Sequence, residues 1–134
     1  MKIFIDTNIL ISAALFHDSV PAQAFTKATS YPDCGIICEE NINELIKTFY
    51  KKFPDKFAAL ESLLQRIMFS VEIVPVPYDE NASEGRIRDV KDRPLLRAAI
   101  RFGADYFLTG DKDFLESGVQ NPKIITASDF LKLE

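Results

Sequence analysis

The sequence has very few of the side chains on which soft-metal sites and histidine-based chemistry depend. Its 134 residues include one histidine, His17, and two cysteines, Cys34 and Cys38. The cysteines are spaced C-x3-C with no second pair, so a zinc site lacks its usual nitrogen and sulfur ligands. A mechanism that passes protons between two histidines is also excluded, because a second histidine is missing. We interpret both cysteines as buried or incidental thiols.

Long apolar runs are missing as well. No segment approaches the roughly 20 apolar residues that a membrane-spanning helix needs. Residues 9–16 resemble the core of a short signal peptide, but Asp6 and Asn8 interrupt the stretch before them. Lys2 is the only basic residue in that stretch, whereas a signal peptide begins with a positively charged region. We therefore expect a cytoplasmic protein with reduced cysteines and no membrane partner.

The chain has no general excess of basic residues, with 16 lysines and arginines against 20 aspartates and glutamates. This balance argues against a protein that is basic over its whole surface, as many nucleic-acid binders are. A group of acids that holds a metal ion would account for several of the negative charges. The hydrophobic fraction of 47% is ordinary for a globular chain, and the sequence has no repeats or low-complexity segments. We expect one domain over residues 1–134.

The first strong positive signal is an apolar run at residues 3–5 that stops at a carboxylate, Asp6. A run of β-branched and aromatic residues without polar alternation is typical of a strand covered on both faces of a parallel sheet. In open α/β sheets, ligands bind beside the carboxyl ends of the strands. Asp6 is therefore the first candidate for a functional residue. The structural alternative is that Asp6, Thr7 or Asn8 caps a helix that starts near Ile9.

Strand and helix patterns alternate along the rest of the chain. Short apolar runs predict four further strands, and apolar residues at helical spacing predict helices between them. Five strands interleaved with helices predict an α/β fold, a three-layer α/β/α sandwich with a five-stranded parallel sheet. The later strands are predicted at residues 35–38, 71–74, 105–108 and 123–126, and the helices at 9–15, 19–29, 39–52, 54–69, 92–102 and 128–133.

Acidic residues follow three of the five predicted strands. Several carboxylates in one crevice repel each other strongly, so they persist only where a cation or a shared proton neutralises them. Oxygen ligands without histidine or thiolate select Mg²⁺ or Mn²⁺. The alternative is that single acids act as caps or turn residues, for example in an Asx turn. The acids after the first strand, the second and the fourth are Asp6; Glu39, Glu40 and Glu44; and Asp111 and Asp113.

Two of these acids, and one further aspartate, are not placed at the sheet edge by pattern alone. Glu40 and Glu44 lie four residues apart and share a helix face away from the apolar stripe, so periodicity predicts that both are solvated. Asp92 precedes Pro94 and opens the helix before the fourth strand. It comes within reach of the other acids if the polar connection at residues 78–91, which has room for a short helical turn, brings it over the carboxyl ends.

Four segments together resemble a PIN domain, and the chain is most similar to the VapC-like toxins of prokaryotic toxin–antitoxin pairs. The resemblance extends in order from residue 1 to the C-terminal helix. A D-T-N near the start combined with T-G-D-x-D-F is specific, whereas either element alone would be weak. The segments are IFIDTNIL at residues 3–10, NEL at 43–45, RDVKDRPLL at 88–96 and ADYFLTGDKDF at 104–114.

The resemblance implies a ribonuclease that depends on Mg²⁺ or Mn²⁺, with an antitoxin as protein partner and a homodimer as a possible assembly. It selects Glu44 rather than Glu40 for the site. It implies that Thr7, Asn8 and Thr109 orient groups near the site rather than bind the metal. The implied catalytic residues are Asp6, Glu44, Asp92 and Asp111, and the implied metal ligands are Asp6, Asp92, Asp111 and Asp113.

The chain departs from the family pattern P-K-D-N-P at residues 90–94, where it has V-K-D-R-P. The acid itself is retained, so the departures bear on substrate choice rather than on metal binding. An RNA chain needs cations beside the acids, and we expect Arg86, Arg88 and Arg93 to supply them. The alternative is that these arginines form an ordinary solvated surface.

Three other functions fit the sequence less well. A phosphatase of the haloacid dehalogenase type needs a second aspartate two residues after the first, where this chain has Asn8. A receiver-like phosphoacceptor domain needs an aspartate after the third strand, and Val74 and Pro75 stand there. A PIN fold that binds RNA or protein without catalysis predicts a broken acidic set, and this set is whole.

Overall fold

The sheet of the computed structural model, which describes residues 1–133, contains five parallel strands in the order β3-β2-β1-β4-β5. The chain starts at the central strand, builds outward through two strands, and then crosses to the other side of β1. The strand order therefore reverses at β1, which is where open α/β sheets bind ligands. The strands are β1 (Lys2–Ile5), β2 (Cys34–Cys38), β3 (Val71–Val74), β4 (Tyr106–Leu108) and β5 (Lys123–Ile125).

Helices cover both faces of this sheet, so the predicted three-layer α/β/α sandwich is confirmed. Ile3 and Ile5 are fully buried against one helix layer, while Phe4 between them is fully buried against the other. Phe4 stacks on Phe107 of β4 with ring centroids 5.2 Å apart. The helices are α1 (Thr7–Leu15), α2 (Val20–Ala28), α3 (Glu39–Lys52), α4 (Phe57–Ser70), α5 (Arg93–Arg101), α6 (Lys112–Leu115) and α7 (Ala127–Lys132).

Three helix starts differ from the sequence prediction. Helix α1 begins at Thr7 instead of residue 9, because Asp6 directly before it accepts a hydrogen bond from the Thr7 N–H. Helix α4 begins at Phe57, since Pro54 lies in the turn before it instead of in its first turn. Helix α7 is capped by Thr126, whose hydroxyl accepts from the N–H of Asp129, so the prediction of Ser128 as its cap is wrong.

The polar connection before α5 contains two short 3-10 turns, Ala82–Arg86 and Val90–Asp92. A buried ion pair fixes it to the helix, since Arg97 contacts both carboxylate oxygens of Glu84 at 2.8 and 2.9 Å. Arg97 also donates to the Pro77 carbonyl at 3.1 Å. This pairing lowers the pKa of Glu84 below its ordinary value. Arg97 therefore stabilises the fold, although its charge had made it a candidate for the cleft.

Within residues 1–133, each helix is either too short or too polar to cross a bilayer. The two cysteines are free; Cys34 is exposed and Cys38 is buried.

Candidate metal centre

Asp6 lies at the junction between β1 and α1, where the strand order reverses. Its backbone N–H donates to the Leu108 carbonyl of β4 at 2.9 Å, which extends the β1–β4 pairing by one residue. Its two carboxylate oxygens accept different hydrogen bonds, Oδ1 from the Thr7 N–H at 2.7 Å and Oδ2 from the Thr109 hydroxyl at 2.6 Å. The carboxylate thus caps α1 and also faces the residues that follow β4, so the structural and functional interpretations of Asp6 are compatible.

A second group of acids lies beside it, after β4 and at the start of α5. One carboxylate oxygen from each of Asp92, Asp111 and Asp113 lies within 4.8 Å of the other two. Asp111 follows Thr109, whose hydroxyl accepts the Asp111 N–H at 3.0 Å, and Asp111 Oδ1 accepts the Asp113 N–H at 3.0 Å. The Asx-type turn considered for Asp111 is therefore present, and it caps the four-residue helix α6.

Asp92 reaches the group through the second 3-10 turn. Asp89 caps that turn, because its Oδ1 accepts the Lys91 N–H at 3.0 Å. The sequence indicated Asp92 as the cap of α5, but its side chain makes no capping hydrogen bond. Its carboxylate is therefore available to the site, and the long connection does bring it over the carboxyl ends of the strands.

Glu44 extends from the second turn of α3 toward the same edge. The Thr7 hydroxyl donates to Glu44 Oε1 at 3.4 Å. Burial raises the pKa of Glu44 to about 7, and the nearby charges of Asp6 and Asp92 raise it further, followed by that of Glu40. The face that periodicity assigned to solvent is thus partly buried at Glu44, because the β1–α1 junction lies against it.

The aspartates are affected in the same way. Burial raises the pKa of Asp6 from its ordinary value of 3.8 to about 7 against the lowering effect of its hydrogen bonds, and the charges of Asp92 and Asp111 add to the increase. The pKa of Asp92 rises to about 6, first through burial and then through the charges of Asp89, Asp111 and Asp113. These shifts measure the free-energy cost of holding several anions together without a cation.

Asn41 is a fully buried residue of the site that the sequence analysis missed. Its amide nitrogen donates to the Ile5 carbonyl and to the Thr7 hydroxyl, both at 3.1 Å. Its Oδ1 accepts the Cys38 N–H at 2.9 Å and the Cys38 thiol at 3.3 Å. Asn41 therefore joins β1, β2 and α3, and it orients the hydroxyl that contacts Glu44. Its one sequence signal was its position in the first turn of a helix, where a side chain can bond back to the residue before the helix.

Asn8 is partly buried beside the loop that carries Asp111. A Cβ added at Gly110 would lie 3.9 Å from the Asn8 amide nitrogen. Asn8 Oδ1 is buried and has no hydrogen-bond partner among the described residues. An unpaired buried acceptor is rare in folded proteins, and a bound water or ligand can satisfy it.

The three arginines expected beside the acids occupy different settings. Arg88 is highly exposed, with its Nε 3.7 Å from Asp113 Oδ1. Arg93 is partly buried and donates from Nε to the Ile87 carbonyl at 3.0 Å. Arg86 is exposed and lies against Gly118, where an added Cβ would be 3.4 Å from its Nη1. Arg88 is thus the arginine with a direct contact to the acidic group.

The donor set fits a hard divalent cation. All candidate ligands are carboxylate oxygens, which suit Mg²⁺, Mn²⁺ and Ca²⁺ better than zinc or copper. The raised pKa values of Asp6, Glu44 and Asp92 show that the group carries more negative charge than its surroundings compensate. A cation bound among these oxygens would remove that excess.

Comparisons with known proteins agree with this geometry. A family model described as PIN domain matches residues 2–113. Among solved structures, the fold is similar to a chain in the crystal structure of VapBC2 from Rickettsia felis bound to a DNA fragment from their promoter. That match has a TM-score of 0.71 at 18% sequence identity and covers 94% of this chain and 98% of the other. Comparison with curated proteins gave no significant match.

Proposed function

This chain belongs to the PIN domain family, and we propose that it is an endoribonuclease that hydrolyses RNA phosphodiester bonds with a divalent metal ion. The observation that carries the proposal is the approach of three carboxylates, from Asp92, Asp111 and Asp113, to within 4.8 Å of one another. Asp6 and Glu44 border that group with pKa values raised to about 7. An arrangement that costs free energy in the absence of a cation is expected where a cation is part of the function.

Asp92, Asp111, Asp113 and Asp6 would hold the ion, which is Mg²⁺ or Mn²⁺. When bound, such an ion lowers the pKa of a coordinated water and stabilises the charge that develops on the phosphate. Thr109 fixes one Asp6 oxygen through its 2.6 Å hydrogen bond, so the side chain is oriented before any ligand arrives. An ordered carboxylate of this kind loses little entropy on binding a metal.

Glu44 has a different role in this scheme. Thr7 engages its Oε1, which leaves Oε2 as the atom that can accept or release a proton. Its pKa of about 7 is close to the pH of a cell, where a general base or acid is most effective. Thr7 in turn is held by Asn41, so the position of Glu44 depends on a chain of two hydrogen bonds.

Cations near the acids would bind the RNA backbone on either side of the scissile phosphate. Arg88 is exposed beside Asp113, and Arg93 is partly buried one residue after Asp92. Their guanidinium groups suit phosphate oxygens in geometry and charge. Asn8, with its unpaired Oδ1, is available to orient a ligand or water next to Asp111.

The likeness to a chain of VapBC2 supports a place in a toxin–antitoxin pair, with this chain as the toxin. An antitoxin would be its protein partner, and a homodimer is the proposed assembly. Toxicity would result from loss of cellular RNA, so the site of action is the cytoplasm. The alternative is a PIN fold that binds RNA or protein without catalysis, and the cleavage assay distinguishes the two.

The test is cleavage of total cellular RNA by the purified protein, with Mg²⁺ or with excess chelator. The wild type should cleave only with metal, and Asp6→Asn should be inactive while its circular dichroism spectrum is unchanged. Expression of the wild type without a partner should slow growth, whereas expression of Asp6→Asn should not. Full activity in chelator, or equal toxicity of the two proteins, would contradict the proposal.

A further inference from the structure

The face of α3 that carries Glu44 continues away from the acidic group as a basic surface. Lys47, Thr48 and Lys51 follow Glu44 at intervals of three, four and seven residues, which places all four side chains on one face. Lys47 and Lys51 are exposed. No ion pair within residues 1–133 involves either lysine. The helix therefore changes from acidic at the site to basic over about 10 Å.

Two grooves on the protein surface meet along this face. The first opens at Glu44 and passes between α3 and the second 3-10 turn, where Lys91 and Pro94 form the opposite wall. The second lies over the end of α3 beside Tyr50, Lys51 and Lys52. Lys47 and Thr48 line both grooves. A single continuous path thus leads from the acidic group, between Lys47 and Lys91, to the C-terminal turn of α3.

Tyr50 provides an aromatic surface on this path. Its side chain is 66% exposed, which is unusual for a large aromatic residue of a helix that contacts its neighbours. Phe57 at the start of α4 holds it, with ring centroids 4.8 Å apart and a tilt of 56°. A ring supported on one side and open to solvent on the other can stack with a planar ligand at a small entropy cost.

We infer that this path, which we call the α3 track, binds the single-stranded RNA that extends from the scissile phosphate. Lys47, Lys51 and Lys91 would contact backbone phosphates, and a base would stack on Tyr50. The combination of a positively charged groove with an exposed aromatic ring is the common design for sequence-tolerant binding of single strands. Glu40 lies at the site end of the groove and would keep phosphates away from that wall. The inference rests on the proposed function, because it takes the substrate of that site to be RNA.

Charge complementarity favours RNA over another protein on the track. The chain carries a net charge of -4, so a second copy of it would bring more negative than positive charge without offering a regular array of phosphates. The path also begins at Glu44, one of the residues of the proposed active site. A polyanion that must reach that site gains from cations directly beside it, since the acids themselves repel phosphate.

The test measures binding of a labelled single-stranded RNA of mixed sequence by fluorescence anisotropy over a range of salt concentrations. All proteins carry Asp6→Asn and are measured in Mg²⁺, so that cleavage does not interfere. Lys47→Ala with Lys51→Ala removes two track cations. The matched control is Lys123→Ala with Lys132→Ala, which removes two exposed lysines from the amino end of β5 and from α7.

The track variant should lower the slope of log K against log salt by about 1.4, at about 0.7 per phosphate contact, and the control pair should not change it. Tyr50→Ala should weaken binding roughly tenfold, whereas Tyr50→Phe should bind like its parent. Equal slopes for the two lysine pairs, or equal affinities for the two Tyr50 variants, would overturn the inference. Loss of self-association in sedimentation with unchanged RNA binding would also overturn it and would assign the surface to a second copy.

Failure of the track and failure of the proposed function give different results. If the wild type cleaves RNA but the track variants bind RNA normally, the path is wrong and the nuclease stands. If the binding differences appear but wild-type protein cleaves no RNA with any divalent ion, the track stands and the function is RNA binding.

Discussion

The Thr109 hydroxyl donates a 2.6 Å hydrogen bond to Oδ2 of Asp6, and so connects the ends of the two central strands, β1 and β4. The same oxygen accepts the backbone N–H of Asp111 at 3.0 Å. A single side chain therefore positions two of the candidate metal ligands. Thr7 has the corresponding place on the other side of Asp6, where it accepts from Asn41 and donates to Glu44.

Thr109→Val should weaken Mg²⁺ binding by about tenfold or more, which is the usual effect of losing a group that orients a metal ligand. Valine has nearly the same shape but can neither donate to Asp6 nor accept from Asp111. Thr109→Ser keeps the hydroxyl and should bind Mg²⁺ nearly as the wild type does. Isothermal titration calorimetry measures both constants. Equal affinities for the valine and serine variants would show that the hydroxyl does not orient the site.

The stability of the metal-free protein should fall as the pH rises from 5 to 8. Asp6, Glu44 and Asp92 have folded-state pKa values raised above their ordinary values of 3.8 and 4.5 to about 7, 7 and 6. The folded state therefore binds more protons than the unfolded state between these values. The stabilisation is complete below the unfolded pKa values and is lost as the pH rises through the folded ones.

Urea unfolding in chelator should show a free energy of unfolding lower by at least about 2 kcal/mol at pH 8 than at pH 5. Saturating Mg²⁺ should remove most of the decrease, because the ion compensates the ionised carboxylates. The Glu84–Arg97 pair does not contribute in this range, since the pKa of Glu84 is lowered from 4.5. A free energy that is constant or rises from pH 5 to pH 8 in chelator would contradict the crowding of charge.

Asp111→Asn should raise the thermal midpoint in chelator by a few degrees. The substitution relieves repulsion of roughly 1 kcal/mol, at about 3 °C per kcal/mol for a domain of this size. Asparagine retains an Oδ1 that can accept the Asp113 N–H, so the cap of α6 is kept. Asp111→Ala loses the cap as well as the charge, at a cost of about 1 kcal/mol, and should melt near the wild type.

The response to Mg²⁺ separates these effects. The wild type should gain about 1.4 kcal/mol at a Mg²⁺ concentration ten times the dissociation constant, and both Asp111 variants should gain less. If Asp111→Asn instead melts lower than the wild type in chelator and responds fully to Mg²⁺, Asp111 acts as a turn residue alone.

Asn41→Ala should destabilise the protein by roughly 2–4 kcal/mol, because it leaves the Ile5 carbonyl and the Cys38 N–H buried without their partners. Asn43→Ala, on the exposed side of the same helix, is the control and should change stability by less than about 1 kcal/mol. Urea unfolding in the presence of Mg²⁺ measures both. A small effect at Asn41 would show that water replaces its hydrogen bonds easily.

The fold follows from local patterns that the sequence displays directly. Residues 3–5 lack polar alternation, and they form a strand whose two faces are both covered. Helical spacing of apolar residues predicted α3 and α5 with their ends almost correct, because both helices have one clear apolar stripe. The start of α4 was wrong, since a proline can stand in a turn or in a first helical turn with the same local sequence.

The site was predictable only in part. Asp6 was accessible from the residues alone, because a carboxylate at the end of a buried strand has few structural reasons to be there. Periodicity could not select Glu44, since its burial comes from Thr7, 37 residues away in sequence. Asn41 was not found for the same reason: its partners in β1 are 34 and 36 residues distant, and no local pattern encodes them.

The cations show the same limit. Arg88 and Arg97 are both exposed-looking arginines in the sequence, but Arg97 forms a buried pair with Glu84, 13 residues before it. A buried pair of this kind depends on how the polar connection folds back on α5. Composition and spacing give the number of charges in a segment, whereas the structure decides which of them face solvent.

The most direct test of the account is a titration of the protein with Mn²⁺, in which electron paramagnetic resonance measures the free ion. The wild type should bind Mn²⁺, and Mg²⁺ should displace it. Asp111→Asn and Asp92→Asn should each bind at least about tenfold more weakly, because each removes a charged ligand from the group. Asp129→Asn, an exposed acid in α7, is the matched control and should bind as the wild type does. Identical isotherms for all four proteins would contradict the claim that these carboxylates form a metal centre.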